Sequence, residues 1–182
     1  MVNILYTEIS VKDIKYNRQN MKVAFIGHRN FNSDLLARTV LYKVIDLVEK
    51  LITENRAKTF IFGAMDGFDY MGYVTVTELR AEKYPRLKRF YISQIPEGLI
   101  ESKKIFIENF EKSKFPFKDI NAGNQRFFKR NELIVDACDM LVVYYDKDYP
   151  EKETKKAYNY AVAKGKKIIN LFDEEQARYL KF

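Results

Sequence analysis

The single histidine of this 182-residue chain, His28, stands in Lys22-Val-Ala-Phe-Ile-Gly27-His28-Arg29, where an apolar run gives way to a glycine, an imidazole and a guanidinium. Those residue types suit an anion or a base. Glycine lets a ligand approach the backbone, arginine offers a bidentate fork to phosphate, and imidazole stacks on a base or donates a hydrogen bond. The alternative is local: His28 and Arg29 can equally satisfy loop carbonyls or carboxylates. A second apolar run, Thr59-Phe-Ile-Phe62, ends in Gly63-Ala-Met-Asp66-Gly67-Phe-Asp69. Amides at the start of a helix there would bind phosphate, and the Asp66 and Asp69 carboxylates would accept ribose hydroxyls or cap the helix. A carboxylate beside a phosphate is unfavourable, so ribose contact is the better functional role for both. Two such tips predict one shared pocket.

Two further segments carry polar groups at chemically useful places. In the stretch from Gln125, Phe127, Ile134 and Cys138 fall on one apolar stripe, and Asn131 interrupts it four residues after Phe127. A polar amide on a buried stripe must find partners, either the His28 loop or a ligand. Arg126 and Arg130 lie on the same helix and are long enough to reach a phosphate. The loop from Asp146 to Thr154 holds no glycine, so capping of the following helix by Thr154 is the simpler expectation, with anion binding at the same helix start as the functional one.

The elements that must position these groups are legible in the periodicity. Residues 22–27, 58–62, 87–93, 140–145 and 167–172 read as strands. Ser33 reads as an N-cap ahead of Leu36, Val40, Val44, Val48 and Leu51, a helix of about five or six turns that stops near Asn55. Further helices are predicted over residues 67–84, 100–112, 125–136 and 152–163, the last closed by Gly165, with a final turn or two after Asp173. Strands separated by helices of this length pair in parallel through right-handed crossovers. The expected fold is therefore α/β, a three-layer α/β/α arrangement around a mainly parallel five-stranded sheet. A single domain over residues 21–182 is expected, with residues 1–20 as an arm or extra edge strand. The ligand should sit outside the carboxyl ends of the strands.

Composition narrows the classes. Hydrophobic residues make up 47% of the chain, aromatics 15%, and glycines number only seven, which argues against disorder. No apolar run approaches the roughly 20 residues that span a bilayer, and the first residues lack the pattern of a secretory signal, so a cytoplasmic location with no membrane partner is expected. The lone cysteine, Cys138, excludes an internal disulfide, and zinc lacks enough ligands. No metal and no firm cofactor are expected. The net charge of +7 makes an anionic partner plausible, although the lysines are spread over helices and turns as solvated faces are.

Taken in order, these segments resemble the SLOG superfamily, named for the DNA-processing protein DprA/Smf and the LOG nucleotide hydrolases, and more narrowly its YpsA-like branch of small bacterial and phage proteins. The resemblance spans residues 22–172 and rests on the two strand tips, on Gln125-Arg126-Phe-Phe-Lys-Arg130-Asn131 with Val135-Asp136-Ala-Cys-Asp139 and Leu-Val-Val-Tyr-Tyr-Asp146, and on Thr154 followed by Tyr160-Ala161 and Gly165-Lys166-Lys167-Ile168. It implies a Rossmann-like domain that binds a nucleotide or nucleotide-derived ligand, ADP-ribose among them, as a sensor or sequestering protein. On that reading Gly27, His28, Arg29, Gly63, Asp66, Gly67, Asp69, Arg126, Arg130, Asn131 and Thr154 bind the ligand. Some relatives instead hydrolyse N-glycosidic bonds, which would assign Asp69, Asp66 or Glu78 as the working carboxylate on a nucleoside monophosphate. The LOG hydrolases carry Pro-Gly-Gly-x-Gly-Thr-x-x-Glu. With their threonine on Thr154, Glu153 takes the preceding glycine and Ala157 takes the glutamate, so the expected catalytic carboxylate is missing. A third expectation, single-stranded nucleic-acid binding as in DprA, draws on the charge and on aromatics interleaved with lysines. Exposed aromatics make a homodimer plausible.

Overall fold

The computed structural model of the chain describes residues 20–31, 33–63, 66–93, 110–114, 125–150 and 152–172. The apolar runs become strands buried on both sides. In β1 (Met21–Gly27), Val23 and Phe25 join one core layer while Ala24 and Ile26 join the other. In β2 (Ala57–Phe62), Phe60 and Phe62 oppose Ile61 in the same way. Covering both faces is what makes a parallel strand read as a continuous apolar run rather than an alternation.

Helix α1 (Asp34–Thr53) follows β1, and its start is set by Ser33, whose Oγ accepts the Leu36 amide at 3.1 Å. Its buried stripe of Leu36, Val40, Val44, Leu47, Val48 and Leu51 packs beside α2 (Gly67–Glu82) on one face of the sheet. Full burial of such a side chain contributes about 1.5–3 kcal/mol, so this stripe anchors the layer. Between the helices and the sheet, the Phe25 ring lies 5.7–6.4 Å from those of Phe60, Phe62 and Phe68. The opposite face carries α3 (Gln125–Ala137) and α4 (Lys152–Ala163), packed on each other over Ile26, Ile61, Leu141 and Val143.

With β3 (Lys88–Ile92), β4 (Lys112–Lys114), β5 (Met140–Tyr144) and β6 (Lys167–Asn170), the sheet has six strands in the order β4-β3-β2-β1-β5-β6, every pair parallel. The strand sequence starts at the centre with β1, moves outward to β4, and then returns to place β5 beside β1, with Gly27 opposite Tyr144. The helices that leave β1 and β5 lie on opposite faces, so a crevice opens between those strand ends.

The α/β architecture is the one expected, with one strand more. β4 overlaps the end of the helix expected over residues 100–112: Phe110 and Glu111 form a bend and Lys112 begins the strand, so that end is not helical. Lys112-Ser-Lys114 has no apolar alternation, and as an edge strand it needs none. It is held from outside the strand. Glu111 takes hydrogen bonds from the Arg89 amide (2.5 Å), Nε (3.3 Å) and Nη2 (2.9 Å), while Arg80 pairs with the same carboxylate at 3.1 Å. The expected arm or strand over residues 1–20, the part of the expected helix before Phe110 and the turns after Asp173 lie outside the described residues, apart from Asn20 at the arm's end.

Candidate functional site at the strand ends

The two tips meet through backbone as much as through side chains. Gly67 has φ of +54°, and a Cβ there would collide with the Arg29 backbone; only glycine takes both the left-handed conformation and the close approach. One residue later the Phe68 amide donates to the His28 carbonyl at 3.1 Å. Asp69, the third residue of α2 and only 3% exposed, turns back to the first tip, where its Oδ1 accepts the Gly27 amide at 3.1 Å. Asp69 thus ties the tips together. Asp66 holds the N-cap position without a capping bond, and its exposed carboxylate lies 3.6 Å from Arg29 Nε.

Helix α3 supplies a buried cation. Arg130 is 3% exposed; its Nη1 donates to the Gly63 carbonyl at 3.1 Å, and its Nε and Nη2 donate to Asn131 Oδ1 at 3.2 and 3.0 Å. Gly63 has no room for a Cβ, which would meet Ile134 and the Arg130 guanidinium. Burial pushes the Arg130 guanidinium below its ordinary value, and the charges of Asp69, Tyr91 and Glu153 oppose that shift. The polar residue on the apolar stripe is thereby explained. Arginine has donors only, so the Asn131 oxygen must face it, and the amide nitrogen is left for the other side. Phe127 lies between two cations, with Arg29 5.6 Å and Arg130 5.8 Å from its ring centre.

A polar cleft open to solvent results, lined by Ile26, Gly27, Arg29, Asp69, Arg130, Asn131, Glu153 and Thr154. Helix α4 begins at Lys152, so Thr154 is its third residue and not its cap. Thr154 is 2% exposed and lines the cleft, and among the described residues no hydrogen bond engages its hydroxyl or the Asn131 amide nitrogen. Glu153 accepts a hydrogen bond from Arg29 Nη2 at 3.2 Å across the mouth. Glu153 was not among the expected ligand residues. Its signal was the carboxylate in the first turn of a helix whose start faces a guanidinium-bearing loop.

Several expected residues stand elsewhere. His28 is 1% exposed, and its Nε2 accepts the Asp146 amide at 2.9 Å, which requires the proton on Nδ1. Its ring lies 4.2 Å from that of Tyr149 and edge-on to Tyr144, so the imidazole joins loops behind the cleft instead of lining it. Gly67 shapes the tip without lining the cleft, and Arg126 lies half-buried on α3 outside the lining. Glu78 is exposed nearly three turns along α2 from the tip, away from Asp69 and Asp66. Among the described residues no cluster of three metal-ligating side chains occurs, and no helix is long and apolar enough to cross a membrane.

A parallel sheet with a polar cleft at the point where strand order reverses defines a doubly wound, Rossmann-like α/β protein. The chain belongs to the YspA SLOG family, whose profile matches residues 23–176. A search of curated proteins found no match.

Proposed function

We propose that this protein binds a nucleotide-derived small molecule, ribose-bearing and of the ADP-ribose or mononucleotide kind, at the cleft between β1 and β5. The observation that carries this reading is the set of buried polar groups gathered there: Arg130, Asn131, Asp69 and Thr154 come from three different helices and are all 4% exposed or less. Burying such groups is costly unless they are partnered, and a hydroxyl-rich ligand would engage the Thr154 hydroxyl and the Asn131 amide. Family membership agrees with a nucleotide-related role. Isothermal titration against adenosine, mononucleotides, NAD and ADP-ribose tests it. Saturable binding that Asn131→Ala weakens at least about tenfold, the equivalent of 1.4 kcal/mol, is the expected result. No binding by any of these ligands would refute the reading.

A second reading, cleavage of an N-glycosidic bond, is favoured by one feature: Asp69 is a buried carboxylate in the cleft wall, within the field of Arg130. Its Oδ1 accepts the Gly27 amide, which fixes the carboxylate against the first strand tip. Free base released from a nucleoside monophosphate, and abolished in Asp69→Asn, is the outcome that would favour catalysis over binding alone.

A further inference from the structure

We propose that Glu153 tunes the charge specificity of the cleft, lowering the affinity for a ligand's phosphate at the start of α4 relative to its neutral nucleoside portion; this rests on the binding reading above. The N-terminus of a helix attracts anions through its unpaired amides and its dipole. Here that place already holds an anion. Glu153 is the second residue of α4, lines the cleft, and is held at 3.2 Å by Arg29, itself part of the lining. Arg29 is engaged on its other side by Asp66 at 3.6 Å.

The charges of the lining therefore cancel. Arg29 and Arg130 are balanced by Asp69 and Glu153, and Asp66 at the rim adds a further negative charge. In a chain carrying +7 overall, the described lining of the cleft thus has no excess of positive charge. Among the described lining residues, the groups that no hydrogen bond engages are neutral: the Thr154 hydroxyl and the Asn131 amide nitrogen, both able to donate to ribose or base oxygens and nitrogens. A phosphate dianion entering there would have to displace a carboxylate from a guanidinium and then lie beside it. A nucleoside would need neither step.

Substituting Glu153→Gln keeps the size of the side chain and an oxygen that accepts from Arg29, and removes only the charge. Glu153→Asp keeps the charge. Titration calorimetry of the full chain with adenosine, AMP and ADP-ribose, after circular dichroism has shown each variant folded, separates the contributions. The expected result is a gain of about tenfold for AMP and ADP-ribose in Glu153→Gln, adenosine unchanged within about twofold, and Glu153→Asp close to the parent, since tenfold corresponds to removing roughly 1.4 kcal/mol of repulsion. The gain should shrink as salt is raised. Parent and variant binding AMP alike, or a gain equal for adenosine and AMP, overturns the role of Glu153 alone. No binding of any probe by any of the three proteins overturns the binding reading itself, and the specificity role with it.

Discussion

At the residue scale, position along the chain and direction of the side chain are separate properties. Gly27, His28 and Arg29 are consecutive, yet Gly27 and Arg29 line the cleft while the His28 ring is buried among Tyr144, Tyr145 and Tyr149. His28 is a junction: its amide donates to Tyr144, its carbonyl accepts from Phe68 and its Nε2 accepts from Asp146. Replacing it with alanine strands the Asp146 amide and opens a cavity. The expected cost is about 2–4 kcal/mol in urea denaturation, since a lost buried hydrogen-bond partner accounts for about 1–3 kcal/mol and the missing ring adds to it. A ligand-binding role confined to the imidazole would instead leave stability unchanged.

At the scale of elements, the edge of the sheet depends on one ionic clasp. Burial alone would raise the Glu111 carboxyl, but hydrogen bonds from the Arg89 side chain and amide, with the guanidinium charge, hold it below the usual carboxylate range. A folded value lower than the unfolded one means the contribution is complete above the unfolded value of about 4.3 and is lost as pH falls through the folded value. Thermal midpoints should therefore fall below about pH 4.3, and Glu111→Gln should flatten that acid limb while lowering the midpoint at pH 7. Equal acid limbs for parent and variant would show that the clasp does not hold β4. The same clasp explains why β4 escaped prediction. Its pairing is secured by Arg89 of β3 and by Glu111, which precedes the strand, so nothing in the pattern of Lys112-Ser-Lys114 signals it. Helix α1, by contrast, was legible to within a residue or two because its cap and its apolar spacing are both local.

At the scale of the molecule, the two core layers on either side of the sheet shield the only cysteine. Cys138 is 2% exposed in the layer beneath α3 and α4, its Sγ lies 3.4 Å from the Val135 carbonyl, and burial pushes its thiol up to about 12. A thiol held so high is almost wholly protonated at pH 8 and unreactive. Labelling by a disulfide reagent should therefore proceed only as fast as the fold opens, and urea should accelerate it in step with unfolding followed by circular dichroism. Labelling within seconds under native conditions would mean that the α3–α4 layer opens independently of the rest.

The sequence alone determined the α/β class, the strand and helix positions of the described core, and the loops where polar groups gather, because these depend on local periodicity and on turn chemistry. It also marked Gly27, Arg29, Gly63, Asp66, Gly67, Asp69, Arg130, Asn131 and Thr154, residues that line the cleft or hold its walls in place. Only the tertiary structure decided which of the marked residues meet. It turned His28 away, left Glu78 and Arg126 outside, brought in Glu153, and balanced the charges of the described cleft lining within a basic chain. Those outcomes depend on helix rotation and on contacts between residues 42 to 124 positions apart, such as Gly27–Asp69, Gly63–Arg130 and Arg29–Glu153, and no local pattern encodes them.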